Sequence, residues 1–202
     1  MTVLPGRPTT RGADPKGFAY LLDALDEMRV PDGYKAEVVE GNIVVSPWPP
    51  GYYTLVMERV CDQLRPHLPK DHRIANGPLL YVFHEAERAH GPDIHATHRR
   101  TWETTSNRMD GQSLSFVAEL TQPSTRDDDM TGKVTTYGSA GVAVYLLLDM
   151  QEERATVLWT PSTKGYESHL TVPFGEKLHI PAPFNCRLDT DGFQSPREPE
   201  KG

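Results

Sequence analysis

The sequence predicts an α/β fold, a mixed β-sheet flanked by helices, and three stretches carry that expectation. Residues 15–29 space their apolar side chains at helical intervals, residues 35–46 read as a β-hairpin, and residues 114–149 run strand, helix, strand. A hairpin and helix, then strands, then a helix leading into a buried strand, is the order of a mixed sheet with helices against it.

In PKGFAYLLDALDEMR, Phe18, Leu21, Leu22, Leu25 and Met28 recur every three or four residues. That spacing predicts an amphipathic helix, with Asp14 at its N-cap and Pro15 in its first turn. Pro31-Asp32-Gly33 ends it. Lys35–Val39 and Asn42–Ser46 are β-rich runs joined by Glu40-Gly41, which predicts a hairpin. Pro47-Trp48-Pro49-Pro50-Gly51 breaks the pattern, and Trp48 within it reads as a packed lid or as a recognition loop. Leu55, Val56, Val60, Leu64 and Leu68 predict a second helix over 52–68.

Short strands are expected at Arg73–Ala75, Leu79–Phe83 and Asp93–Ala96, and the aperiodic stretch 98–112 is expected to be a mobile loop. Leu114–Leu120 predicts a strand, 130–140 a helix, and Val142–Asp149 a strongly buried strand. Arg154–Thr160, Tyr166–Val172 and Lys177–Ile180 predict an antiparallel meander with turns at Pro161 and Gly175. A single domain over 15–190 is expected, between a disordered lead-in at 1–14 and a disordered tail at 191–202.

Bulk properties narrow the function classes. The chain has 202 residues, 37% of them hydrophobic and 24% charged, which suits a folded soluble protein. No apolar run approaches the roughly 18 residues that cross a bilayer, and the first residues lack the apolar core of a secretory signal, so a cytoplasmic protein without a membrane partner is expected. Cys61 and Cys186 have neither metal-ligand spacing nor the density of a disulfide framework and read as buried thiols. The formal net charge is −7, and no basic run exceeds His98-Arg99-Arg100. Contact with nucleic acid would therefore rest on a local patch, on a homodimer, or on metal ions that offset the acids.

The chemistry concentrates in two places. Gly91-Pro92-Asp93-Ile94 sets an acid beside a short strand, and Phe116–Leu148 sets Glu119 near the end of another, followed by Lys133 and Tyr137 four residues apart on one helical face. Carboxylates on neighbouring strands can hold Mg²⁺, which takes oxygen ligands and keeps several waters. A lysine above them can stabilise the charge that builds up in phosphodiester hydrolysis. Glu37, in the first hairpin strand, can reach the same cleft from a third direction. Each residue also has an ordinary reading: Pro-Asp is a common turn, a helical lysine usually faces solvent, and Asp127-Asp128-Asp129 suits a helix N-terminus. The joint spacing carries the assignment.

That spacing resembles the Uma-two-type endonucleases, a domain of unknown function in the PD-(D/E)xK restriction-endonuclease-like superfamily. The first block is Tyr34-Lys35-Ala36-Glu37-Val38-Val39-Glu40-Gly41-Asn42-Ile43, closed by Ser46-Pro47. The second is Pro92-Asp93-Ile94. The third is Glu119-Leu120-Thr121-Gln122-Pro123-Ser124-Thr125, followed by Asp129, Lys133, Tyr137, Ala140-Gly141-Val142 and Tyr145 through Asp149. The blocks occur in order across about residues 18 to 180.

The resemblance implies a restriction-endonuclease-like sheet flanked by helices. Asp93 and Glu119 would be metal ligands, Glu37 an accessory acid, and Lys133 the catalytic lysine in place of the superfamily lysine, whose position is Thr121 here. Gln122 stands where the family has serine, and Ala143-Val144-Tyr145 where it has Glu-Tyr-Trp. Gln122 and Tyr137 would support the site. The activity implied is Mg²⁺- or Mn²⁺-dependent cleavage of DNA; the alternative is a catalytically inactive binding or scaffold protein of the same fold. His95 and His98 form a His-x-x-His pair that could bind zinc, face solvent or line the cleft, and Arg99-Arg100 and Lys164 could meet phosphates or only solvent. No phosphate-cradling Gly-rich loop, Gly-x-Ser-x-Gly elbow or catalytic Cys-His pair is present.

Overall fold

A computed structural model describes residues 2–4 and 15–196. In chain order the elements are β1 (Thr2–Leu4), α1 (Pro15–Glu27), β2 (Tyr34–Val39), β3 (Asn42–Pro47), α2 (Gly51–Leu64), β4 (His72–Ala75), β5 (Leu80–Phe83), β6 (Arg88–His90), β7 (Ile94–His98), β8 (Arg108–Asp110) and β9 (Leu114–Leu120). There follow α3 (Arg126–Met130), α4 (Gly132–Ser139), β10 (Val144–Asp149), β11 (Arg154–Ser162), β12 (Gly165–Pro173), β13 (Lys177–Ile180) and β14 (Cys186–Asp189). The expected N-cap Asp14, most of the lead-in and residues 197–202 of the tail lie outside the described residues.

The mixed sheet is divided in two. One six-stranded sheet runs β1-β3-β2-β6-β5-β8 and the other β12-β11-β10-β9-β7-β4, while β13 and β14 form a separate pair. Each large sheet has one parallel neighbour pair, β5 with β8 and β9 with β10. The second pair is joined through α3 and α4, the βαβ crossover that the order of elements predicts. All six residues of β10 are buried, as a strand covered on both faces requires.

The β2–β3 hairpin turns at Glu40 (φ 49°) and Gly41 (φ 74°), two left-handed residues that match strand twist in a two-residue loop. Phe18, Leu21 and Leu22 of α1 pack on Val38, Ile43 and Val45 of this hairpin. Helix α2 buries Tyr53, Val56, Val60 and Leu64 against the other sheet, in a core that includes Ile94, Phe116, Ala118, Leu146 and Leu188. It ends at Leu64 rather than 68, because Pro66 cannot donate the next helical hydrogen bond and a 3-10 turn, Arg65–His67, takes over. Both cysteines are free and buried, and burial pushes the Cys61 thiol up to about 11.

Several segments differ from expectation. Within the expected disordered lead-in Thr2–Leu4 pairs with β3, and within the expected disordered tail Phe193 is fully buried in the α2 core. Residues 98–112 are ordered by single anchors rather than by periodicity. A 3-10 turn covers Arg99–Trp102, β8 adds an edge strand with Met109 buried, and the Trp102 indole donates to the Tyr81 hydroxyl at 3.1 Å. The expected helix over 130–140 starts earlier and breaks at Thr131 (φ −132°), giving α3 and α4. Helix α4 then runs so close to the β11–β12 turn that a Cβ at Gly138 would lie 2.1 Å from the Gly165 carbonyl oxygen. Finally, Pro161 sits inside the β11–β12 ladder opposite Tyr166, the turn falls after Ser162, and β13 pairs with β14 instead of continuing the meander.

Candidate active site

Strand alternation aims the candidate residues into the seam between the two sheets. On β9, Phe116, Ala118 and Leu120 enter the α2 core while Val117 faces the opposite way, toward Tyr81, Phe83 and Tyr137. Glu119 shares the face of Val117. On β7, Ile94 pairs with Ala118, so Asp93 lies one residue beyond the last rung, level with Glu119. On β2, Val38 packs toward α1, leaving Lys35 and Glu37 on the other face. Helix α4 closes the seam with Lys133 and Tyr137, both buried.

At the centre stands Lys133, its side chain only 2% exposed. Its ammonium lies 2.8 Å from Asp129 Oδ1, 3.0 Å from Glu119 Oε1 and 3.9 Å from Glu37 Oε1. Tyr137 donates to Glu119 Oε1 at 2.7 Å, and Thr125 donates to Asp129 Oδ2 at 2.8 Å. Glu37 Oε1 accepts from the Gly91 amide at 2.8 Å and lies 3.6 Å from His90 Nδ1. A second lysine works at the rim: Lys35 Nζ is 3.5 Å from Asp93 Oδ1 and 3.3 Å from the Gly91 carbonyl oxygen. The other Asp93 oxygen accepts from the Leu120 amide at 2.8 Å, tying this acid to the end of the strand that carries Glu119.

Electrostatics separate Glu119, Asp129 and Glu37. Burial, reinforced by the carboxylates of Asp93 and Asp129 and opposed by Lys133, raises the Glu119 carboxyl to about 8. Burial likewise raises Asp129 against the pull of Lys133. For Glu37 burial acts upward too, but Lys133 and Lys35 overcome it and hold the carboxyl well below its ordinary value. Burial works against the charge on Lys133, yet Asp129, Glu119 and Glu37 together keep the ammonium protonated far above its usual range. Burial lowers His90, which leaves its ring neutral at pH 7 despite Glu37 beside it. The seam thus sets four carboxylates against two ammonium groups.

The structure brings Glu37, Glu119 and Lys133 into one ion-paired group, to which Tyr137 is hydrogen-bonded through Glu119, with Asp93 and Lys35 alongside. Gln122, largely buried, donates to the Pro47 carbonyl oxygen at 3.4 Å. Thr121, at the superfamily lysine position, donates its hydroxyl to Gln151 Oε1 at 2.8 Å. The His-x-x-His pair is no pair: His95 is buried against Tyr81 and Trp102, while His98 caps the 3-10 turn by accepting from the Arg100 amide. Burial holds His95 down at about 4.

Three residues of the site were given no role from the sequence, His90 beside Glu37 being one. Lys35 sits two residues before Glu37 and hence on its face of the strand, and Asp129 lies four before Lys133 on one helical stripe. Both signals were present but read separately, Asp129 as part of a helix-capping run. Among the described residues no three His, Cys, Asp or Glu side chains gather as a ready metal cluster. The lysines stand among them instead.

Beside this group a cavity of about 330 Å³ opens, lined by Lys35, Glu37 and Asp93 at one end and by Trp48, Met57 and Leu80 farther out. Among the described residues no helix is long and apolar enough to cross a membrane.

Comparisons with known proteins bear on the fold and the family. A search of curated proteins finds no match. Among solved structures, the "putative nuclease belonging to DUF820" from Anabaena variabilis ATCC 29413 superposes with a TM-score of 0.65 at 15% sequence identity, covering 83% of this chain and 94% of that one; the likeness is one of fold. The family model described as "Putative restriction endonuclease" matches residues 22–191, most of the chain, and the protein belongs to that family, Uma2.

Proposed function

We propose that this protein is a divalent-metal-dependent endonuclease that hydrolyses phosphodiester bonds of DNA. The observation that carries the reading is the meeting of Glu37, Asp93, Glu119 and Lys133 from four separate elements in one seam, with two more carboxylates than ammonium groups. A dication that displaced the Glu119 proton would offset the excess of carboxylates, and the donors are the hard oxygens that Mg²⁺ or Mn²⁺ prefers. Asp93 and Glu119 would hold the ion, with Glu37 as accessory acid. Bound there, the ion would polarise the scissile phosphate and lower the pKa of a water.

The chain's own residues do the positioning. Tyr137 and Lys133 both contact Glu119 Oε1, fixing the orientation of that carboxylate. The Leu120 amide does the same for Asp93. Lys133, enclosed by three acids, acts through Glu119 and Asp129 and maintains their charge balance. Lys35, facing the cavity, is the cation placed to meet a phosphate oxygen. Gln122 donates to the carbonyl oxygen of Pro47, the residue before Trp48. Action on cytoplasmic DNA belongs to the same proposal.

The test is cleavage of single- and double-stranded DNA by the purified protein under Mg²⁺ and Mn²⁺ titration. The reading expects metal-dependent cleavage that disappears in Asp93→Ala and Glu119→Ala. DNA left intact at every metal concentration, or cleavage indifferent to Asp93→Ala, contradicts it. One observation favours a second reading, a non-catalytic binding protein of the same fold: the Lys133 ammonium itself already stands among Glu37, Glu119 and Asp129. Calorimetry without any divalent-ion binding selects that reading.

A further inference from the structure

The cavity next to the acids has walls that a phosphate does not need. Beyond Lys35, Glu37, Asp93 and Asn76 its lining is mostly apolar, with Met57, Leu79, Leu80 and Pro92. Its outer lip is Trp48, 49% exposed, although an indole of that size normally finds cover. The exposure is held in place. Trp48 follows the last residue of β3, its amide donates to the Gly33 carbonyl oxygen at 2.8 Å, and prolines flank it at 47, 49 and 50. Proline restricts the backbone on either side, so little freedom remains to be lost when a partner covers the ring. No hydrogen bond among the described residues engages the Trp48 indole nitrogen.

We propose that this cavity is a nucleobase subsite, in which an unpaired base stacks on Trp48 while its own phosphate pairs with Lys35. The proposal rests on the reading of the seam as a phosphodiester site and deepens it by naming the substrate class: a single strand, or a nucleotide extruded from a duplex. Three features support this occupant. The cavity is continuous with the charged group, sharing Lys35, Glu37 and Asp93 with it, so base and phosphate of one nucleotide can occupy both. Its volume of about 330 Å³ lies in the range of small-ligand sites, which combine apolar walls with few polar groups. An aromatic face beside a cationic group is the arrangement that binds single-stranded nucleic acid without reading sequence, since every base offers a π-face. A base still paired and stacked in a duplex cannot reach such a pocket until it is turned out.

The experiment measures binding of a fluorescein-labelled ten-nucleotide oligothymidylate, of the same strand with one central abasic position, and of the matching duplex. Fluorescence anisotropy is recorded in Ca²⁺ buffer with wild type, Trp48→Ala and Trp48→Phe, and cleavage of the same strands is followed in parallel under Mg²⁺ and Mn²⁺. Wild type is expected to prefer the single strand to the duplex, and Trp48→Ala to weaken single-strand binding roughly ten- to hundred-fold. Trp48→Phe, which keeps a stacking face, is expected to stay within about threefold of wild type.

Single-strand affinity unchanged in Trp48→Ala overturns the subsite, and so does a duplex bound as tightly as the single strand by both proteins. The outcomes separate the two readings. Cleavage that needs Asp93 but is indifferent to Trp48 leaves the nuclease standing and removes the base pocket. Trp48-dependent binding without cleavage in any metal keeps the pocket and removes the nuclease. Circular dichroism melting of the variants excludes misfolding as the cause of lost binding.

Discussion

Lys133 and Lys35 approach the same cluster of acids from opposite sides, and only one of them borders open space. Lys133 is 2% exposed and has Asp129, Glu119 and Glu37 around its ammonium group; Lys35 is 11% exposed, lies near Asp93 and lines the cavity. Around Lys133 each acid is fixed by a second partner, Tyr137 for Glu119, Thr125 for Asp129 and the Gly91 amide for Glu37. At the open rim Asp93 has one backbone hydrogen bond and one long ion pair. The difference teaches that a single charge cluster can be divided into a frame and a contact surface. Buried charges hold geometry, and rim charges remain free to exchange partners.

The sharpest way to break this comparison is Lys133→Met. It leaves Glu119 and Asp129 buried without a cation and is expected to destabilise the fold by about 3–5 kcal/mol, read by urea denaturation. A loss under about 1 kcal/mol would mean that the acids are not relying on Lys133. Tyr137→Phe removes one donor to Glu119 and is expected to cost about 1–3 kcal/mol in the same assay. It should also move the titration of Glu119 upward in pH, because the ionised carboxylate loses its hydrogen bond.

A pH dependence follows from Glu119. Its folded-state value of about 8 exceeds the ordinary 4.5, so between these limits the folded protein holds a proton that the unfolded chain releases. The contribution of this group to stability is therefore full below about 4.5 and declines as pH rises through 8. A dication bound at Glu119 must displace the proton. Its apparent affinity is expected to rise about tenfold per pH unit up to that value and to level off above it, as titration calorimetry would record. The smallest effect belongs to the rim. Lys35→Met should shift unfolding by only about 1 kcal/mol, since Asp93 keeps its amide partner and can be hydrated from the cavity.

Much of this layout was legible in the sequence, for local reasons. Glu40-Gly41 dictated the hairpin, the α1 stripe dictated its packing face, and the apolar runs on either side of Lys133 gave β9 and β10. Strand β6 (Arg88–His90) and strand β14 (Cys186–Asp189) were missed because three or four residues, half of them polar, carry no readable period. Division into two sheets depends on which strands pair, a tertiary choice that alternation within one strand does not encode. The segment 98–112 shows the same limit: Trp102 and Met109 order it through contacts with distant residues.

Within the candidate site, Asp93, Glu119, Glu37, Lys133 and Tyr137 stood out because each lies in a spaced motif. Lys35 and Asp129 lie in the same blocks but were given no role, because a lysine in a strand and an acid in a capping run have commoner explanations, as does the isolated His90. The cavity beside Trp48 was out of reach of sequence altogether. Trp48, Met57 and Leu80 come from three separate stretches of the chain, and only the fold makes them neighbours.

The most direct test of the central claim is calorimetric titration of Mn²⁺ into the wild-type protein, Asp93→Asn and Glu119→Gln at pH 8. The account predicts saturable binding by wild type and its loss in both variants, with all three proteins folded by circular dichroism. Absence of binding to wild type, or binding that survives both substitutions, would contradict it.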